Sequence, residues 1–159
     1  MSNVDTTTYV DHSALRTNQA FIIALLLIAF ITGFWPLTAF VAAVMLIGTL
    51  LPGLALFQRI YRHALRPTGL VKPDRVPDSP APHRFAQGMG GTFTLASAVL
   101  LATGTGAPAV GWAFSWLVIL LAALNLFVGF CAGCFVYYRL ERLGVPGFQT
   151  VEPGGGSHA

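Results

Sequence analysis

Residues 17–58, TNQAFIIALLLIAFITGFWPLTAFVAAVMLIGTLLPGLALFQ, pass from Arg16 to Arg59 without one charged side chain, a run of 42 positions. A transmembrane helix takes about 20 apolar residues at about 1.5 Å each, so this run holds two spans and a tight turn. Gly33-Phe34-Trp35-Pro36 supplies the turn, joining a helix breaker to an interfacial aromatic. The first span is expected over 18–33 and the second over 37–57. A second uncharged run of 54 positions, residues 85–138, repeats the pattern, with Gly104-Thr105-Gly106-Ala107-Pro108 as its break and Trp112 and Trp116 beyond it. The third span is therefore expected over 86–103 and the fourth over 109–138. The fourth would be about 45 Å long and would tilt or project beyond the about 30 Å hydrocarbon slab.

Composition agrees with this reading. Of 159 residues, 55% are hydrophobic and 9% charged, where soluble domains carry about a quarter charged. That excludes an ordinary soluble globule, and nine Lys+Arg over the whole chain are too few for a disordered tail or a nucleic-acid groove. The pI of 9.2 reflects a few arginines on an apolar body. A cleaved signal peptide does not suit the first run, because Asp5 and Asp11 precede it and a second span follows it. The expected fold is all-α, a polytopic membrane protein with four transmembrane helices in two hairpins. Arg16 precedes the first span, six cations lie between the second and third, and Arg139 and Arg142 follow the fourth. All nine fall on one side, which makes both termini and the central loop cytoplasmic and the location a cell inner membrane. The chain then divides into a 1–17 leader, an 18–57 hairpin, a 58–85 basic, Pro-rich loop, an 86–138 hairpin and a 139–159 tail.

In the central loop Arg59, Arg62, His63 and Arg66 follow i, i+3, i+4, i+7 spacing and share one face if the second helix continues past the membrane. With Arg84 they form a candidate contact for an anion or an acidic partner, or a basic patch that fixes topology against anionic headgroups. Pro67, Pro73, Pro77, Pro80 and Pro82 favour an extended connector after them. A faint parallel repeat is visible: Arg16-Thr17-Asn18-Gln19 opens the first span and Arg84-Phe85-Ala86-Gln87 the third, preceded by His12 and His83. In each, arginine reaches the interface while glutamine, one turn inward, bonds a neighbouring helix.

Cys131 and Cys134 are the only cysteines, and their C-x-x-C spacing sets both sulfurs on one helix face. Three readings compete. A thiol-disulfide pair suits a reducing compartment, where such motifs are catalytic or redox-sensing. Near the C-terminal end of a helix, however, the macrodipole opposes a thiolate. Arg139, Arg142 or a loop arginine must then compensate, or the helix must break at Gly133. A metal site needs ligands beyond two thiolates, from His12, His63, His83 or a second chain of a homo-oligomer. A packing role rests on Gly129 and Gly133 as a small-xxx-small face, with Asn125 bonding across helices. Cys134, nearer the interface marked by Tyr137, Tyr138 and Arg139, is expected to be the more accessible sulfur.

Asp11 with Arg16 and Gln19, the Arg84-Phe85-Ala86-Gln87 opening, and Asn125 followed by Gly129-Phe130-Cys131-Ala132-Gly133-Cys134 and a tyrosine-rich end resemble an uncharacterised family of small bacterial four-helix membrane proteins. Members of that family often accompany thioredoxin-like or rhodanese-like proteins, which implies thiol or sulfur-transfer work for Cys131 and Cys134. No hydrolase, nucleotide-binding or zinc-protease motif is present, and no cofactor motif. Gly88-Met89-Gly90-Gly91 lies in a span and suits close helix packing. The spans carry no ionised residue with which to build an ion-coupled transporter. The sequence thus points to a membrane-bound dithiol that exchanges electrons or sulfane sulfur with a thioredoxin-like or sulfurtransferase partner. The alternative is a noncatalytic membrane subunit or anchor that binds a partner through the basic loop.

Overall fold

Hairpin turns, not the long loops, set the helix boundaries. In a computed structural model, which describes residues 9–51, 59–60, 63–64, 67–69, 75–77, 80–106 and 108–147, the elements run in order as follows. Strand β1 is Tyr9–Asp11, α1 is His12–Thr32, α2 is Trp35–Leu50, β2 is Arg75–Pro77, α3 is Pro80–Thr103, α4 is Pro108–Val128 and α5 is Ala132–Arg142. The body is all-α. One addition is the antiparallel pairing of β1 with β2, Val10 opposite Val76, which ties the segment before α1 to the segment before α3.

Gly33 adopts a left-handed φ of +65°. Its N–H bonds Phe30 O at 3.2 Å and the Phe34 N–H bonds Ala29 O at 3.0 Å, the paired bonds by which a helix end satisfies its abandoned carbonyls. Pro36 then lies in the first turn of α2, where a missing N–H costs nothing. The same tolerance carries α3 back to Pro80, six residues before the expected start at 86: Pro80 and Pro82 open the helix instead of extending the connector. α1 likewise starts at His12 rather than at 18.

Helices α1, α3 and α4 are long and apolar enough to cross a membrane, and only 22% of the apolar window in each is buried in the bundle. The outward surface is correspondingly apolar, with Ile31, Leu120 and Phe127 well exposed, as lipid-facing positions are. α2 is a shorter apolar helix of 16 residues, and the rest of the expected second span, 52–57, lies outside the described residues. The fourth expected span is not one helix. α4 stops at Val128, and α5 begins at Ala132 with its own cap.

Neighbouring helices pack in a closed ring, α1 on α2, α2 on α3, α3 on α4 and α4 back on α1, around Ile22, Leu26, Val41, Met45, Val118 and Ile119. α2 lies close against α3 because a Cβ at Gly91 would stand 2.9 Å from Leu46 Cδ2, and one at Gly90 2.8 Å from Met45 Cε. The cluster from Gly88 to Gly91 is thus a packing face. Gln87 Nε2 donates to Met45 O at 3.2 Å, and Arg84 Nη2 and Nε donate to Thr49 O at 2.7 and 3.2 Å. The expected glutamine bond to a neighbouring helix is found at α3, and Arg84 bonds that same helix. Between α3 and α4, buried Ser97 donates to Gly111 O at 2.7 Å and lies 2.8 Å from Ser115 Oγ. Thr32, Thr49, Thr92, Thr94 and Thr103 return their hydroxyls to carbonyls four residues back, so these five hydroxyls are satisfied within their own helices.

Ser97→Ala is expected to lower stability by about 1 kcal/mol, the scale of a hydrogen bond between membrane helices. The double variant with Ser115→Ala should cost less than the sum of the singles, because both report one shared contact. Reversible unfolding in mixed micelles measures both.

Candidate functional site: a capped disulfide beside a cavity

The site begins where α4 ends. Gly129 takes φ +74°, a left-handed conformation that costs any residue with a Cβ about 1–2 kcal/mol, and its N–H makes the final bond to Asn125 O at 3.1 Å. Cys131 is then extended, with φ −90° and ψ 100°, and caps α5: its Sγ accepts from the Cys134 N–H at 3.2 Å. Phe130, just before the cap, meets Phe135 with ring centroids 6.1 Å apart, an apolar staple that fixes the angle of the new helix. Arg139 lies over Phe135 at 5.1 Å, and Arg139 and Arg142 occupy the last turn of α5, where cations favour the helix dipole.

This break corrects the expected electrostatics of the cysteines. They lie at the N-terminus of α5 and not at the C-terminal end of a continuous span, so the Cys131 sulfur faces the first N–H groups of a helix and not its last carbonyls. The break falls at Gly129, not at Gly133, because left-handed backbone is what ends a helix cleanly. Cys131 and Cys134 are joined as a disulfide with Cα atoms 5.1 Å apart. Their accessibility is the reverse of the expectation: Cys134 is buried at 8% exposure and Cys131 is half-buried, because Cys134 turns inward toward α3.

The two glycines also differ from the expected packing pair. Gly129 faces open space, whereas a Cβ at Gly133 would lie 2.6 Å from Ala86 Cα. Gly133 alone brings α5 onto α3, and so sets Cys134 Sγ 3.6 Å from His83 Nδ1. His83 in turn meets His12 of α1 edge to face, with centroids 6.1 Å apart. The donor atoms of His83, Cys131 and Cys134 lie within 4.8 Å of one another. Reduced, they offer three ligands of the kind zinc takes; oxidised, both sulfurs are committed to each other. Sequence spacing could not pair His83 with the cysteines, since 48 residues separate it from Cys131 and a helix contact joins them. His63, the other candidate ligand, is exposed and outside this group.

Behind the disulfide is a cavity of about 340 Å³ between α1, α3 and α4. Cys131 and His83 lie in its wall with Asn18, Gln19, Gln87 and Asn125. Asn125 therefore lines a cavity. Of the proposed basic contact, Arg59 and His63 are exposed, Arg62 and Arg66 lie outside the described residues, and Arg84 commits its guanidinium to Thr49 O. The cavity was not anticipated. Its sequence signal is four amides placed in otherwise apolar runs, which in a membrane mark function or helix contact.

A family model described as a domain of unknown function (DUF4395) matches residues 10–142. The chain belongs to this family. The DUF4395 match runs from β1 through the last residue of α5, so it takes in both histidines, both cysteines and the whole cavity wall. No curated protein and no solved structure matches the chain.

Gly133→Leu should prevent α5 from docking and sharply reduce folded protein, because the leucine would meet the α3 backbone. Gly129→Ala should cost about 1–2 kcal/mol through its φ alone and leave the fold intact. Size-exclusion profiles in detergent and unfolding midpoints separate the two effects; equal behaviour would refute the division of roles.

Proposed function

We propose that this protein is a four-span inner-membrane dithiol protein, both termini cytoplasmic, that exchanges electrons or sulfane sulfur with a soluble thioredoxin-like or sulfurtransferase partner. The observation that carries the reading is the Cys131–Cys134 disulfide at the N-cap of α5. A helix start stabilises the thiolate needed for exchange, and Cys131 is the sulfur with surface exposed. In the thiol reaction a partner thiolate attacks Cys131 Sγ. The S–S bond breaks, a mixed disulfide forms at Cys131, and Cys134 leaves as the thiolate beside His83. A second partner thiol then attacks the mixed disulfide, so the partner leaves oxidised and the pair reduced. For sulfane sulfur, the reduced Cys131 thiolate attacks the outer sulfur of the partner persulfide, forming a Cys131 persulfide and releasing the partner thiolate; Cys134 then attacks Cys131 Sγ, closing the disulfide and expelling the outer sulfur as hydrosulfide. The charge distribution supports the orientation, since all nine cations of the sequence fall on one side of the four spans.

Two measurements test this. Cys134→Ser should leave the protein abundant and trap mixed disulfides through Cys131 in intact membranes, while Cys131→Ser traps few; two sulfurs inert to alkylation after reduction would overturn the dithiol reading. Reporter fusions after residues 20, 75 and 150 should report cytoplasm, and insertions at 35 and 106 the exterior. An exterior central loop would overturn the orientation and move the thiols to an oxidising compartment.

A further inference from the structure

The cavity behind the disulfide has a composition that narrows what it can hold. At about 340 Å³ it falls in the size range of small-molecule sites, far beyond the room one water needs. Among the described residues its wall is apolar apart from amides and His83, with no carboxylate, lysine or arginine, so an ion or a charged metabolite would find no counter-charge among them. Asn18 and Gln19 on α1 and Asn125 on α4 offer N–H donors, with the second N–H of Gln87 on α3 beside its bond to Met45 O, donors that suit the carbonyl oxygens of a flat, neutral ring. Leu117, Leu121 and Val136, also in the wall, are each more than a third exposed. The cavity is therefore bordered by surface-exposed apolar residues, which suits a lipid-soluble occupant. Cys131 is the sulfur in the wall; Cys134 is turned toward His83.

Resting on the dithiol reading above, we infer that this cavity binds a lipid-soluble quinone, and that the reduced Cys131/Cys134 pair passes two electrons to it. A dithiol and a quinone are both two-electron, two-proton couples, so the exchange closes without a further oxidant. The Cys131 thiolate adds to the quinone ring and a C–S bond forms. The Cys134 thiol gives its proton to His83 and attacks Cys131 Sγ: the S–S bond forms, the C–S bond breaks, and its electron pair stays on the ring. The ring takes up two protons, one released from Cys134 and one from water, and leaves as the quinol. A soluble dithiol partner then reduces the disulfide and leaves oxidised, so the net reaction carries two electrons from a cytoplasmic dithiol into the lipid-borne pool.

The test uses the full chain in lipid nanodiscs, reduced, freed of reductant under argon and mixed with decylubiquinone. Equimolar appearance of quinol and of the Cys131–Cys134 disulfide is the expected result. Ala122→Phe, which fills the cavity, and Asn125→Leu, which removes an amide donor, should each slow quinol formation at least tenfold. Should such a variant fail to fold, wild-type protein decides: added decylubiquinol should slow alkylation of Cys131 several-fold, and a redox-silent lipid of equal chain length should not. Thiols that exchange with a soluble disulfide yet yield no quinol would overturn this inference and leave the dithiol reading standing. Thiols that do neither would overturn both. Quinol formation at wild-type rates in both cavity variants would overturn the assignment of the cavity.

Discussion

A helix ends cleanly only where its last carbonyls find donors. The turn at Gly129 supplies one, its own N–H to Asn125 O, and the rest of the site follows from where it falls. Two residues later Cys131 is free to cap a new helix, its sulfur held by the Cys134 N–H. Had the helix continued, the same two sulfurs would project from the wrong end of a dipole. Glycine at 129 thus changes the chemistry available to cysteines it does not touch.

The second requirement is that α5 come to rest against α3. The missing Cβ at Gly133 provides this, and α3 is in turn fixed to α2 by Arg84, Gln87 and the glycine face from Gly88 to Gly91. A guanidinium on Thr49 O also places positive charge at the C-terminal end of α2, the favourable polarity for a helix dipole. His83 lies one residue before Arg84, so the bonds that anchor the start of α3 also hold the imidazole against Cys134. Packing and chemistry here share residues.

What the sequence made legible was whatever depends on local pattern. The uncharged runs located the hairpins, Gly33-Phe34-Trp35-Pro36 and the Gly104–Pro108 stretch located their turns, and the Gly88 cluster marked a packing face. Gln87 bonds a neighbouring helix as its position suggests, while Arg84 is spent on the same helix. The break in the last apolar run was not legible, because Gly129 and Gly133 are both compatible with a continuous helix and only tertiary docking tells a φ-glycine from a contact glycine. The start of α3 departs from the pattern because proline, a breaker inside a helix, is at ease in a first turn. His83 is one of three candidate ligands in the sequence, but its selection over His63, like the cavity, depends on contacts between helices far apart in the chain.

The pairing of β1 with β2 bears on how a partner could be delivered. It holds Tyr9–Asp11 in the folded body directly before His12, which touches His83, which touches Cys134. A soluble redox domain tethered ahead of Tyr9 by a short flexible linker would therefore be confined near the disulfide at an effective concentration of about millimolar. At that level even a weak encounter is frequent, and the rate of exchange would depend on linker length instead of on the abundance of the partner.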